Sequence, residues 1–333
     1  MNPLNSTENI VPKKPKLLIH MGYHKTATTF WQRQVFSIPC FNLIDRLQSQ
    51  AHFLEKTPYN FSAKALNEWL AQVIDPNKMN VISDEELLGN IHTGGNGGSI
   101  TYEVIERIAA IEGVELYILL FFREQTSMIE SCYRQYVKKG GCYSIQNYIY
   151  PPKSAVRHRF AAFSLEHFMY HDAIEHLQRK MSKKNVLALP YEKFCEKPNE
   201  VYAELGKLLG SQKLEVAIRD GLKLLDGQKT SNKSLSNLSL ILAKVFNRLS
   251  RHDPIARHSF IHIPYIDVIF KKLYEGIDRF IPRKYRYLSL LSSEQKSNLR
   301  ELYCLSNSKL EKLLGISLAQ YGYSAQSEKD SLS

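Results

Sequence analysis

The sequence predicts an α/β protein, a central parallel sheet flanked by helices and followed by a helical C-terminal region. Three observations carry that expectation. Short apolar runs recur at Lys16–Met21, Asn80–Ser83, Val114–Phe122 and Val186–Leu189, as strands buried on both faces do. Segments with helical spacing separate them, which calls for parallel strands joined by right-handed crossovers. Beyond Ser236 the pattern is helical throughout.

Taken in order, residues 1–14 are polar, carry Pro12 and lack the apolar core of a secretory signal, so they are expected to be disordered. The first strand runs into a turn and a helix over Thr28–Val35. Helices over Ala63–Ile74 and Tyr102–Ile111 precede the second and third strands. The third strand ends at Arg123, and Ile129, Tyr133, Tyr136 and Val137 then recur at helical spacing up to the stop at Gly140 and Gly141. A long helix over Leu165–Met181 leads to the fourth strand, and another over Val201–Leu209 ends at Gly210. Residues 15–235 thus form an α/β core. Residues 236–323 form a helical extension packed on it, with Leu238, Ile241, Leu242, Val245 and Phe246 on one face, and the serine-rich residues 324–333 form a frayed tail.

Composition narrows the possibilities. A chain of 333 residues with 44% hydrophobic content buries a substantial core. No segment reaches the roughly 20 apolar residues that span a bilayer, so the chain reads as cytoplasmic, with peripheral membrane contact left open. The five cysteines, Cys40, Cys132, Cys142, Cys195 and Cys304, are widely spaced and odd in number, which favours reduced thiols over a disulfide frame or a metal site. Among the 11 histidines, His167 and His171 fall four apart on one expected helix, a spacing more often met on a plain polar face than in a metal pair. The net charge of +11 is concentrated late, with 14 Lys and Arg against 5 Asp and Glu between Lys229 and Arg300. Such a field steers anions inward, which suits a nucleotide donor or an acidic glycan more than a nucleic acid.

The chemistry lies at strand ends. His24-Lys25-Thr26-Ala27-Thr28-Thr29 follows the first strand and opens a helix, where unpaired backbone N–H groups and the helix dipole attract an anion. Lys25 adds a point charge, and the threonine hydroxyls are donors without negative charge of their own. The turn lacks the glycine spacing and the Gly-Lys pair of nucleotide-triphosphatase loops. Arg123 at the end of the third strand, with Ser131 on the next helix, offers a guanidinium fork and a hydroxyl to a second phosphate. The plainer alternative pairs Arg123 with Glu124 or Glu130.

Together the two segments resemble the sulfotransferase family, whose donor is 3′-phosphoadenosine 5′-phosphosulfate (PAPS). In that family His-Lys-Thr-Gly-Thr-Thr binds the 5′-phosphosulfate, and an arginine followed eight residues on by serine binds the 3′-phosphate. Here Ala27 stands where glycine is usual. Three further segments are similar to family strands and loops: Val81 to Leu88 with its Ser-Asp-Glu end, Asn185 to Glu192, and the Asn232/Ser234 loop that folds over the donor nucleotide.

The resemblance implies a P-loop-like sulfotransferase fold and transfer of a sulfuryl group from PAPS to a hydroxyl or amine acceptor, with a carbohydrate or glycoconjugate the expected class, without a metal. It assigns donor binding to His24, Lys25, Thr26, Ala27, Thr28, Thr29, Arg123, Ser131, Asn232 and Ser234. Lys25 is the expected stabiliser of the leaving phosphate and Glu85 the expected base, with Glu86 and His92 as rivals. The Gly94–Gly98 run is read either as a loop at the acceptor mouth or as a plain connection between elements. Two other functions compete: a P-loop-type nucleotide kinase, and a non-catalytic basic protein that binds glycan or nucleic acid on the same scaffold.

Overall fold

A computed structural model describes residues 14–151, 153, 162–224, 235–250, 273, 276–277, 281–282 and 286–325. Five parallel strands, β1 (Lys16–Gly22), β2 (Phe41–Leu43), β3 (Met79–Ser83), β4 (Glu115–Phe122) and β5 (Val186–Pro190), form one sheet in the order β2-β3-β1-β4-β5. The four expected strands are present, and β2 adds a short edge.

Because side chains alternate along a strand, the sheet feeds two cores. Leu17, Ile19 and Met21 face one way, and Leu18 faces the other. The first core takes up helices α1 (Ala63–Val73), α2 (Ser99–Ala109), α3 (Gln125–Lys138), α4 (Tyr170–Lys180), α7 (Asn237–Ser250) and α8 (Ser293–Leu314). The second takes up Trp31 and Val35 with α5 (Pro198–Leu208) and α6 (Gln212–Leu224). Burial on both faces explains why the strands read as unbroken apolar runs.

Local chemistry sets the ends of α3, the helix that carries the second motif. Glu124 is its N-cap, accepting from the N–H groups of Thr126 and Ser127 at 3.0 and 2.8 Å. Past its C-terminus, Gly140 takes a φ of 114°. A side chain at Gly141 would run into the Tyr136 ring, 2.3 Å from a Cβ there, so the chain passes this point only as glycine.

Three expectations are corrected. The segment after β1 is α-helical only over Thr28–Phe30 and continues as a π-helical turn over Trp31–Val35, around the fully buried Trp31. The long helix expected over Leu165–Met181 is interrupted: a 3-10 turn spans Leu165–Phe168, Met169 leaves helical geometry, and α4 begins at Tyr170. His167 and His171 therefore lose their shared helical face, and no His, Cys, Asp and Glu group among the described residues is arranged to hold a metal.

The third correction concerns α7. Leu240, Ala243 and Asn247 are buried, whereas Leu238, Ile241 and Val245 are about half exposed. The cause is polar: Asn247 donates at 2.8 Å to the carbonyls of both Val137 and Gly141, which turns it inward to cap the end of α3. Arg134 of α3 completes the joint by donating to Leu235 O, Asn237 Oδ1 and Leu288 O. All five cysteines are free thiols. No described helix is long and apolar enough to cross a membrane.

Candidate active site

The two motifs meet at the carboxyl edge of the sheet, where open parallel sheets bind ligands. The loop after β1 is fixed first. Tyr23 N–H donates to Phe121 O at 2.9 Å, and the Thr26 hydroxyl donates to Tyr23 O at 2.5 Å. This corrects the expected role of the Thr26 side chain: it is fully buried and its proton goes to the backbone, so it braces the loop. Lys25 and Ala27 have φ values of 69° and 65°. Ala27 thus adopts the left-handed conformation for which glycine is the unstrained choice, which explains why glycine is usual there.

The loop carries donors with nothing to bind. Thr28 is buried, and its hydroxyl has no hydrogen-bond partner; Thr29 is half-buried beside it. Lys25 is half-buried, and burial together with the nearby Lys138, Arg123 and Lys139 pushes its ammonium below the usual lysine range. No carboxylate pairs with Lys25 among the described residues. An anion seated here satisfies Thr28 and relieves the mutual repulsion of the cations.

Arg123 closes one side. Its Nη1 donates to Lys25 O at 3.3 Å and its Nε to Ser127 Oγ at 2.9 Å, and the guanidinium lies 5.3 Å over the Tyr191 ring. The alternative pairings are excluded by geometry: Glu124 caps α3, and Glu130 accepts from Ser289 and from the N–H groups of Leu290 and Leu291. Ser131 is half-buried one helical turn beyond Ser127, on the same face of α3. Asn232 and Ser234 lie outside the described residues.

The acidic side differs from expectation in detail. Asp84 is fully buried and ion-pairs with Arg46 at 2.8 Å, and Glu85 Oε1 is 3.6 Å from the same arginine, so Arg46 is the counter-ion of Glu85. Glu86 sits 3.7 Å from His24 Nε2, and burial with the neighbouring Asp84 and Glu85 charges holds its carboxyl above the usual range. Burial lowers the His24 imidazole to about 3, so it stays neutral beside Glu86. His92 is buried, its Nδ1 2.9 Å from the Tyr148 hydroxyl, among the rings of Tyr136 and Tyr148.

Several residues of this site escaped sequence reasoning. Ser127 and Tyr191 orient Arg123, and Lys138 and Lys139 add charge from the far end of α3. Only Ser127 left a signal, its i, i+4 relation to Ser131. His20 is fully buried in β1, lowered to about 3 by burial, with Nδ1 2.7 Å from Ser83 Oγ.

Among solved structures, a sulfotransferase from Alicyclobacillus acidocaldarius aligns over 92% of this chain and 98% of its own, with a TM-score of 0.52 and 11% identity. Mouse sulfotransferase SULT7A1 complexed with PAP aligns over 91% of this chain and 87% of its own at a TM-score of 0.40 and 13% identity, too loosely to carry residues across. No family model matches the sequence, and no curated protein matches it. The fold is therefore that of the sulfotransferases, a parallel sheet with a P-loop-like first turn.

Proposed function

We propose that this protein transfers a sulfuryl group from PAPS to a hydroxyl of a carbohydrate acceptor. The observation that carries the reading is the junction of two anion-binding segments 98 residues apart, made by the Arg123 guanidinium on the Lys25 carbonyl. One cradle suits any phosphate; a second cationic group fixed beside it suits a donor with phosphates at both ends of its ribose. A kinase reading is disfavoured because the loop lacks the Gly-Lys-Ser/Thr triad that holds magnesium triphosphate.

PAPS supplies the sulfuryl group and a phosphate leaving group. The acceptor oxygen forms a bond to sulfur as the bond from sulfur to the bridging phosphate oxygen breaks, and the electron pair departs on that oxygen. Lys25 follows the developing charge there, and Thr28, Thr29 and the loop N–H groups hold the phosphate. The acceptor's proton goes to Glu86. We favour Glu86 over Glu85, whose charge is engaged by Arg46, and over His92, whose Nδ1 is engaged by Tyr148. A base with a raised pKa and a lysine with a lowered one together predict a bell-shaped pH profile. Its acid limb lies above the ordinary glutamate value and its alkaline limb below the ordinary lysine value.

The deciding experiment is calorimetric titration with 3′-phosphoadenosine 5′-phosphate (PAP), compared with ADP and with ATP plus magnesium. Tight binding that requires the 3′-phosphate supports the reading. Preference for ATP, or no binding of any of the three, overturns it.

A further inference from the structure

A cavity of about 360 Å3 opens beside the loop, within the range that holds a small ligand. Tyr23 and His167 form part of its wall. Lys25 follows Tyr23 by two residues, so their Cα atoms are no more than ~7.6 Å apart. His167 also lies close enough to His24 for the two imidazoles to influence one another's charge. The cavity is thus a neighbour of the anion cradle.

Its charge is opposite to that of the cradle. In a chain of net charge +11, the described residues lining the cavity include two carboxylates, Glu166 and Asp172, and no lysine or arginine. Both carboxylates are exposed, and Asp172 is near enough to Tyr23 for its charge to oppose phenolate formation there. Of the two lining histidines, His167 is kept neutral by burial, with Nε2 buried and unpartnered. His176 is bonded at 3.1 Å to Glu106, outside the cavity lining.

The wall also provides a flat apolar face. The Tyr102 ring is stacked on His176, with centroids 4.9 Å apart and planes 14° from parallel. Gly97 and Gly98 border the opening with no side chain, and nothing lies within 4 Å of where their Cβ atoms would stand. Of the two readings of the glycine run, the one at an acceptor mouth gains a physical basis: the run leaves the cavity unobstructed.

We propose that this cavity holds the sulfuryl acceptor and selects an amino sugar, its ring against Tyr102, its ammonium beside Asp172 and Glu166, and a hydroxyl turned towards Lys25. The assignment rests on the donor reading above and deepens it. A polyanionic glycan meets two carboxylates here, whereas a cationic sugar is attracted by them and kept apart from Lys25, Arg123, Lys138 and Lys139.

Three sugars of one ring size and different charge test this: glucosamine, glucose and glucuronate, titrated against the full chain by saturation-transfer NMR with and without PAP. Glucosamine is expected to bind about tenfold more tightly than glucuronate, with glucose between them. The E166Q/D172N double variant, altered only at exposed positions, should bring the three within about twofold. Ala173→Trp, which fills the cavity from α4, should abolish binding of all three while its melting curve reports that the fold persists. Glucuronate binding as well as glucosamine, an order that survives the double variant, or unchanged glucosamine binding by a folded Ala173→Trp protein each overturns the assignment. PAP calorimetry on the same samples separates the two readings. PAP binding without the sugar order removes the cavity assignment alone, and the sugar order without PAP binding removes the donor.

Discussion

The two edges of the sheet treat buried polar groups in opposite ways. At the amino edge, the fully buried Asn80 meets all of its hydrogen-bonding needs. Its Nδ2 donates to Lys16 O, Asp75 O and Lys78 O, while its Oδ1 accepts from Asn42 Nδ2 and Asp75 N. At the carboxyl edge, buried atoms of His20, His24, Thr28 and Glu85 have no hydrogen-bond partner, and two non-glycine residues hold positive φ. Satisfied groups fasten a fold; of the unsatisfied ones, His20 is enclosed by the rings of Trp31, Phe36 and Phe121, whereas Thr28 lies in the loop after β1. On the proposed reading, the contrast teaches that stability and binding have been assigned to different ends of the same strands.

The contrast can be broken by substitution. Lys25→Ala should lower turnover about a hundred- to a thousandfold, with little change in melting temperature; a rate near wild type would remove the carboxyl edge from catalysis. Asn80→Ala should do the reverse, costing about 2–4 kcal/mol in denaturant unfolding while PAP affinity of the folded protein stays the same. Should donor affinity fall with it, the edges are coupled. Arg123→Ala should weaken PAP binding about 10- to 100-fold by calorimetry and ADP binding less, since the proposed 3′-phosphate contact is lost together with the brace on Lys25 O.

Acid should act most strongly through the buried imidazoles. His20, His24 and His167 are held at about 3, 3 and 4 by burial, against the ordinary histidine value of 6.5. Each contributes stability that is fully present above its unfolded value and lost as pH falls towards its folded value, at up to about 1.4 kcal/mol per pH unit per group. Unfolding midpoints measured from pH 7 to 4 should therefore drop, and His20→Phe should flatten the slope. A midpoint flat across that interval would show that these imidazoles are hydrated. The smallest effect belongs to Ala27→Gly. Relief of the left-handed strain, about 1–2 kcal/mol, exceeds the extra freedom of glycine in the unfolded chain, about 0.4–1 kcal/mol. The expected net gain is between zero and about 1.6 kcal/mol, read from the denaturant midpoint.

Much of this was legible in the sequence because burial on two faces writes β1, β3, β4 and β5 as apolar runs, and because strand ends place Lys25, Glu85 and Arg123 on one edge. What was not legible depends on contacts between distant segments. β2 is three residues long and carries no run of its own. Nothing between Leu165 and Met181 is a helix breaker; the chain leaves helical geometry at Met169, and the next residue, Tyr170, donates its hydroxyl to Arg123 O at 2.7 Å. α7 has two candidate apolar faces, and the choice between them falls to Asn247, whose partners are more than 100 residues away. The rank of Glu86 over Glu85 likewise depends on Arg46, which sequence spacing does not connect to either.

The central place of β1 also has a consequence for time. Its hydrogen-bonded neighbours arrive late: Ser83, beside His20, is 63 residues downstream, and the Arg123 that touches Lys25 O is 98 residues downstream of it. The loop after β1 therefore acquires its walls only when β3 and β4 have paired on either side of β1. Pairings at such separations must overcome loop closure before they are rewarded, which slows folding. Until β4 has docked, the turn at Lys25 exists without the Arg123 that closes it, so PAP binding, on the proposed reading, would report that the sheet has closed.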